Sequence, residues 1–202
     1  ATDLAIGQPM EFALKSCVLA TRIGKMLALN AETNAEIYYQ SLLRYIGCNA
    51  QTHVMAAMFG DEISFRRDFA LIDPARAGEM VGLIFSYLRR ANANASLFGF
   101  IGGVAHGLMA SKDVAAEGLS SHCEVAQRFA ERLGFGESVR RNLGQLYERW
   151  DGRGLPNGLK GEAIAPAVRI VSFAQDVIVL RAAFGAREAD AKLEARSGGA
   201  YE

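Results

Sequence analysis

The sequence predicts an all-α fold, and three observations carry that prediction. Apolar residues recur at helical spacing along nearly the whole chain, helix-starting and helix-ending residues bracket those stretches, and no segment alternates apolar and polar residues as a half-buried strand would. The chain has 202 residues, half of them hydrophobic, which is enough to bury a sizeable core as a single domain spanning 1–202. No internal repeat, low-complexity tract or linker divides it.

The first helix is expected from Pro9 to Leu29, largely buried, with Leu14, Cys17, Val18, Thr21 and Ala28 on one face and Ile23 and Met26 on another. Thr33, Asn34, Ala35 and Glu36 form a capping box. It opens a helix with Tyr38, Tyr39, Leu42 and Ile46 inward and Gly47 as its stop, while Glu32, Glu36, Gln40 and Arg44 repeat every four residues along the solvent side. Asp73 and Pro74 read as N-cap and first residue of a helix reaching about Arg90. The apolar, glycine-rich stretch Leu97 to Met109 reads equally as a close-packed helix or an irregular segment. A second capping box, Ser121 to Glu124, starts a helix with Val125, Ala126, Phe129 and Leu133 inward and Gly134 at its end. The next helix carries Val139, Leu143, Leu146, Tyr147 and Trp150. Pro166 restarts a helix through Val171, Ala174, Ile178 and Phe184, and Ala189 to Arg196 is a short final one.

Twenty-two basic residues balance twenty-two acidic ones, so no net field draws these residues to nucleic acid or membrane. Cys17, Cys48 and Cys123 sit singly within helical patterns, which points to reduced thiols and a cytoplasmic protein. No signal peptide or bilayer-spanning apolar run is visible. A chain that begins without Met and stops at Arg196 to Glu202 reads as a piece of a longer protein.

The most unusual stretch is Glu148 to Glu162, where four glycines, one proline, the single tryptophan and a block of charge fall in fifteen residues. Ordering such a loop is entropically costly. In a structural reading Trp150 anchors it and the glycines supply positive φ. In a functional one Arg149, Arg153, Lys160 and Arg169 form a cationic rim near a helix start, suited to an anion, with Glu148, Asp151 and Glu162 interleaved.

The run Glu148, Arg149, Trp150, Asp151, Gly152, Arg153, Gly154, Leu155, Pro156, then Gly158, Leu159, Gly161, Ile164 and Val168, Arg169, Ile170, resembles the HD-GYP branch of the HD phosphohydrolase superfamily. His122 to Val125, 28 residues before Trp150, is similar to that family's H-P-E-I helix start, and Ser41 to Gly47 to its A-L-L-H-D-I-G. The likeness covers roughly residues 14–48 and 120–202, leaving a central insertion at about 60–118. It implies an HD-domain-like helical bundle with the Gly-rich loop between its last long helices.

The resemblance also implies histidines and aspartates holding two or more metal ions, which lower the pKa of a bound water and clamp phosphate. Here the positions of the HD pair hold Arg44 and Tyr45, the first-helix histidine is Lys15 or Ser16, the H-H pair is Leu146 and Tyr147, and the last-helix aspartate is Gln175. Asp176 is about 100° further around the helix. His122 is what remains of the metal set. The resemblance turns Arg44 towards the former metal site, whereas the four-residue ladder leaves it exposed. His53 and His106 read as structural.

The leading expectation is therefore a catalytically silent HD-GYP-like sensor or regulatory domain of a bacterial signalling protein, with no catalytic residues and no cofactor. Its candidate ligand-binding residues are Arg44, Tyr45, His122, Tyr147, Glu148, Arg149, Asp151, Arg153, Arg169 and Gln175, for a small anionic or nucleotide ligand. A homodimer and an absent C-terminal output domain are further expected partners. One alternative is a metal-dependent phosphohydrolase or cyclic di-GMP phosphodiesterase with an atypical ligand set, such as His122 with Asp113, Glu117 or Glu124, for which a divalent metal is the cofactor. The other is a structural or dimerising module with the old cavity packed shut.

Overall fold

The computed structural model describes residues 2–49, 52–91 and 117–202, and among them the fold is all helical apart from isolated bridges pairing Tyr147 with Leu155 and Ser197 with Tyr201. The helices are α1 (Thr2–Ala5), α2 (Phe12–Met26), α3 (Ala31–Leu43), α4 (Thr52–Phe59), α5 (Glu62–Phe69), α6 (Ala77–Ala91), α7 (117–132), α8 (Glu137–Leu143) and α9 (Pro166–Glu194). Short 3-10 turns cover Ile46–Asn49 and Gly161–Ala163. The Leu97–Met109 stretch, His106 and Asp113 lie outside the described residues. Among those described, no helix is long and apolar enough to cross a membrane.

Helices α2, α3 and α9 form the central layer, closed by Ala20, Ile37, Ala167, Val171 and Ala174. On the other side of α3, Leu43 packs with Cys123, Ala126 and Ala130 of α7 and with Val139, Leu143 and Leu146 in and after α8. Helices α4, α5 and α6 build a satellite core of Phe59, Phe65, Ile84 and Tyr87, in which the Phe59 and Phe65 rings stack at 4.0 Å.

Several boundaries and faces differ from the sequence expectations. Asn30, rather than the Thr33–Glu36 box, caps α3, accepting the Thr33 N–H at 2.8 Å. The buried side of α3 is Ile37, Gln40, Ser41 and Leu43, so the tyrosines are turned outward (Tyr38 47% exposed) and the expected solvent ladder is partly buried. Helix α2 likewise buries Phe12, Ser16, Cys17, Ala20 and Gly24 and leaves Leu14 and Val18 exposed. A polar seam is the physical reason: Ser16 of α2 and Ser41 of α3 are buried, and Gln40 of α3 donates to the Asn142 carbonyl of α8 at 3.5 Å. Residues 117–132 are helical, so Ser121–Glu124 lies within α7 and is no helix start, and Val125, Phe129 and Leu133 face out. Asp73 holds the Ala75 N–H in a turn, and α6 begins later, at Ala77. Helix α8 ends at Leu143, short of Trp150. Pro166 does open α9, which kinks at Gly185 before the expected final helix.

Candidate functional site

The turn after α3 sets the site. Arg44 closes α3 with its backbone N–H on Gln40, and the 3-10 turn Ile46–Asn49 then carries the chain against α7. A Cβ at Gly47 would lie inside contact with the His122 carbonyl oxygen, so only glycine lets the turn approach α7 this closely. Gly47 is thus a close-packing residue rather than a helix stop.

Arg44 is buried, at 7% exposure, and the resemblance placed it better than the ladder did. Its Nη2 donates to the Leu146 carbonyl at 3.2 Å and its guanidinium carbon lies 5.6 Å from the Tyr45 ring centre. Nη1 has no partner among the described residues. The Tyr45 hydroxyl donates to Gln175 Oε1 at 2.8 Å, bridging the former HD pair to α9. Burial keeps the Tyr45 and Tyr147 phenols protonated, far above their ordinary range, although Arg44 pulls both down. His122 is 8% exposed. Its Nδ1 faces the Tyr147 hydroxyl at 3.2 Å, and its buried Nε2 has no partner among the described residues. Burial, helped by the Arg66 charge, pushes the imidazole down to about 4 and keeps it neutral. Arg44 and Gln175 thus meet at Tyr45, and His122 meets Tyr147.

The loop residues do not join them. The Glu148 carboxylate accepts the Asn157 and Leu159 N–H groups, each at 2.8 Å, and so shapes the loop from within. Arg149 bridges Asp73 at 2.9 Å and Asp151 at 3.1 Å; Arg153 pairs with Asp151 at 2.9 Å. Arg169 lies over Trp150 at 5.3 Å and pairs with Glu202 at 3.2 Å. Of the expected cationic rim, Arg149, Arg153 and Arg169 are each paired with a carboxylate, so these three, with Glu148 and Asp151, are scaffold. Asp176 points away from Gln175, bonded to Arg196 and to the Tyr201 hydroxyl. A cleft of about 540 Å³ opens on the far side of Cys123, next to His122 in sequence, and is lined by Gln127, Glu137, Arg140, Arg141 and Asn157.

The sequence reading missed Arg66, on α5. Its Nη2 reaches Thr52 Oγ1 at 3.3 Å, while Nε and Nη1 are buried without partners among the described residues. Its charge bears on both Cys48 and His122. The segment holding α4 and α5 gave no signal, because α5 lies in the expected insertion and α4 just before it, both away from every motif.

Residues 109–197 match a family model described as HD domain. The chain is 26% identical over 200 residues to the 3'3'-cGAMP-specific phosphodiesterase 3 of Vibrio cholerae, covering 98% of this chain and 42% of that protein. A crystal structure described as a cyclic GMP-AMP specific phosphodiesterase of V. cholerae superposes with a TM-score of 0.67 at 24% identity, over all of this chain and 43% of the other. That likeness shows the fold, and the chain spans less than half the length of either relative.

These findings overturn two expectations. A chain similar from end to end to part of a phosphodiesterase is not read as a catalytically silent sensor, because the relative named is an enzyme. The expectation of no cofactor falls with it, since HD-domain phosphodiesterases hydrolyse with divalent metal. The described residues at this place nevertheless do not fit such an ion. Arg44 puts a permanent positive charge there, Tyr45, Tyr147 and Gln175 offer weak neutral donor atoms, and no group of three His, Cys, Asp or Glu able to hold a metal occurs among the described residues. Of the atypical set, Glu117 is exposed and Glu124 is exposed and paired with Arg128, so neither joins the buried His122.

Proposed function

The chain carries a domain of the HD superfamily, and we propose that it belongs to a phosphodiesterase that opens a cyclic dinucleotide, of the class its relative is named for. The observation that carries this reading is the similarity over 98% of the chain to a 3'3'-cGAMP-specific phosphodiesterase. The site residues supply the rest of the support. Arg44 offers a desolvated guanidinium to a phosphodiester charge, where an ionic hydrogen bond is strong. Tyr45 and Tyr147 stay protonated and neutral beside it, and His122 stays neutral, so none of these three groups sets a negative charge against the substrate. The neighbouring cleft, with Arg141, Gln127 and Asn157, suits a base and a second phosphate. Three buried free thiols suit a reducing cytoplasm.

The test is direct. Purified chain is incubated with 3'3'-cGAMP and with cyclic di-GMP, once with added Mn²⁺ and once with EDTA, and linear dinucleotide is followed by chromatography. Release of linear product, reduced at least tenfold in Arg44→Gln, is the expected result. No release in any arm sinks the reading. The EDTA arm decides between the metal chemistry of the family and a set of described residues that does not fit a metal.

A further inference from the structure

We propose that Arg44 and Arg66 form a two-guanidinium clamp for a phosphate oxyanion, set on either side of the Ile46–Asn49 turn. The inference deepens the phosphodiesterase reading, and rests on it for the choice of a phosphodiester over other oxyanions. The clamp itself is argued from the residues.

Three observations converge. Arg44 and Arg66 together leave three buried N–H-bearing atoms, Arg44 Nη1 and Arg66 Nε and Nη1, with no partner among the described residues. Among the described residues their side-chain bonds are to neutral acceptors, Arg44 to the Leu146 carbonyl and Arg66 to Thr52 Oγ1. Among the described residues neither arginine pairs with a carboxylate, although Arg67, next in sequence to Arg66, pairs with Asp68. Buried guanidinium groups without a counter-charge are strongly unfavourable. A sequence that keeps a buried Arg44 and a half-buried Arg66 in one region, neither paired with a carboxylate among the described residues, suits an anion brought from outside.

Placement supports a shared ligand. Arg44 ends α3, Arg66 lies on α5, and Cys48 sits in the turn between, with both guanidinium charges acting on its thiol. Gly47 seats that turn on His122, whose Nε2 is the next unpartnered buried atom and whose Nδ1 meets Tyr147. When the protonated Tyr147 hydroxyl donates to Nδ1, Nε2 carries the hydrogen and becomes a further donor. Two guanidinium forks carried by separate elements can offer donors to more than two oxygens of one anion. That arrangement suits a tetrahedral phosphate better than a flat carboxylate, which one fork satisfies alone.

The probe is inorganic phosphate, titrated calorimetrically into the intact chain with EDTA present. Binding is expected, weakened at least tenfold in Arg66→Gln and in Arg44→Gln. Arg66→Lys, which keeps the charge and loses the fork, is expected to recover only part of it. A second readout guards against a variant that does not fold: in the unmodified chain the Arg66 Nε–H resonance should shift on adding phosphate. Absence of phosphate binding, or binding indifferent to both arginines with an unmoved Nε–H signal, overturns the clamp. Cyclic dinucleotide opened at an unchanged rate in Arg66→Gln overturns the clamp and leaves the phosphodiesterase reading. Phosphate bound through both arginines, with no cyclic dinucleotide opened in any metal arm, does the reverse.

Discussion

The Glu148–Glu162 loop and the Arg44–His122 pocket are both polar and both lie on the resemblance to the HD family, yet they settle their charges in opposite ways. In the loop four charged groups complement one another or the backbone: Glu148 has two backbone N–H groups, Arg149 has Asp73 and Asp151, and Arg153 has Asp151. In the pocket Arg44, Arg66 and His122 hold unpartnered polar atoms among the described residues. Satisfied networks rigidify, and half-satisfied ones destabilise. The loop is therefore a frame, and the Arg44–His122 cluster is where buried polar atoms stay unpartnered at a cost in stability.

The largest effect should come from breaking the frame. Arg149→Ala leaves Asp73 and Asp151 facing each other without their shared cation, and removal of one partner from a buried ionic group is expected to lower stability by about 3 kcal/mol. Thermal unfolding should fall by about 6 °C or more for a chain of this size. Gly154→Ala is expected to act as strongly, because its Cβ would overlap the Glu148 and Arg149 backbone. A melting temperature within a degree of the unmodified chain would dissolve the contrast between the two regions.

Next comes Glu148. Glu148→Ala orphans the Asn157 and Leu159 N–H groups, for a loss of about 2 kcal/mol, and Glu148→Gln, which keeps one acceptor oxygen, should lose about half of that. Chemical denaturation measures both. Equal losses would mean that the carboxylate charge, not its two hydrogen bonds, organises the loop.

The pocket should respond with the opposite sign. Arg44→Met removes a buried cation without a counter-charge and replaces it with an apolar chain of similar length. Without added anion it is expected to be neutral or to stabilise by about 1 kcal/mol. The same variant should lose the stabilisation that phosphate gives the unmodified chain. Destabilisation by Arg44→Met as large as that of Arg149→Ala would make Arg44 another piece of frame.

Much of the frame was legible in the sequence because it is local. Pro166 at a helix start, Gly134 at a helix end and the Trp150–Pro156 run each carry their conformational meaning in a few neighbouring residues. The pocket was half legible. Arg44, Tyr45, His122, Tyr147 and Gln175 were found through the family pattern, while helical periodicity alone turned Gln40 and Arg44 towards solvent. Periodicity failed there because it equates polar with exposed, and this seam is polar and buried. Arg66 was not legible at all. Its charge bears on Cys48 and His122 only in the folded chain, and no residue within α4 or α5 announces that proximity.

The smallest expected effect separates the regions by pH. Burial raises the Asp151 carboxyl, but bonds from Arg149 and Arg153 outweigh it and hold the group below its ordinary value of 3.8. A folded value below the unfolded one means that the contribution is complete above the ordinary carboxylate range. It is lost as pH falls from there through the lowered value, since the unfolded chain then binds the proton first. Asp151→Asn should accordingly be less stable than the unmodified chain at neutral pH, with the gap closing as the solution is acidified past that range. Arg44→Met should show no such closing, because a guanidinium does not titrate there. Melting curves at stepped pH compare the two variants directly. Parallel profiles for Asp151→Asn and the unmodified chain would mean that Arg149 is held by Asp73 alone, and that the loop's charges are less interlocked than their geometry requires.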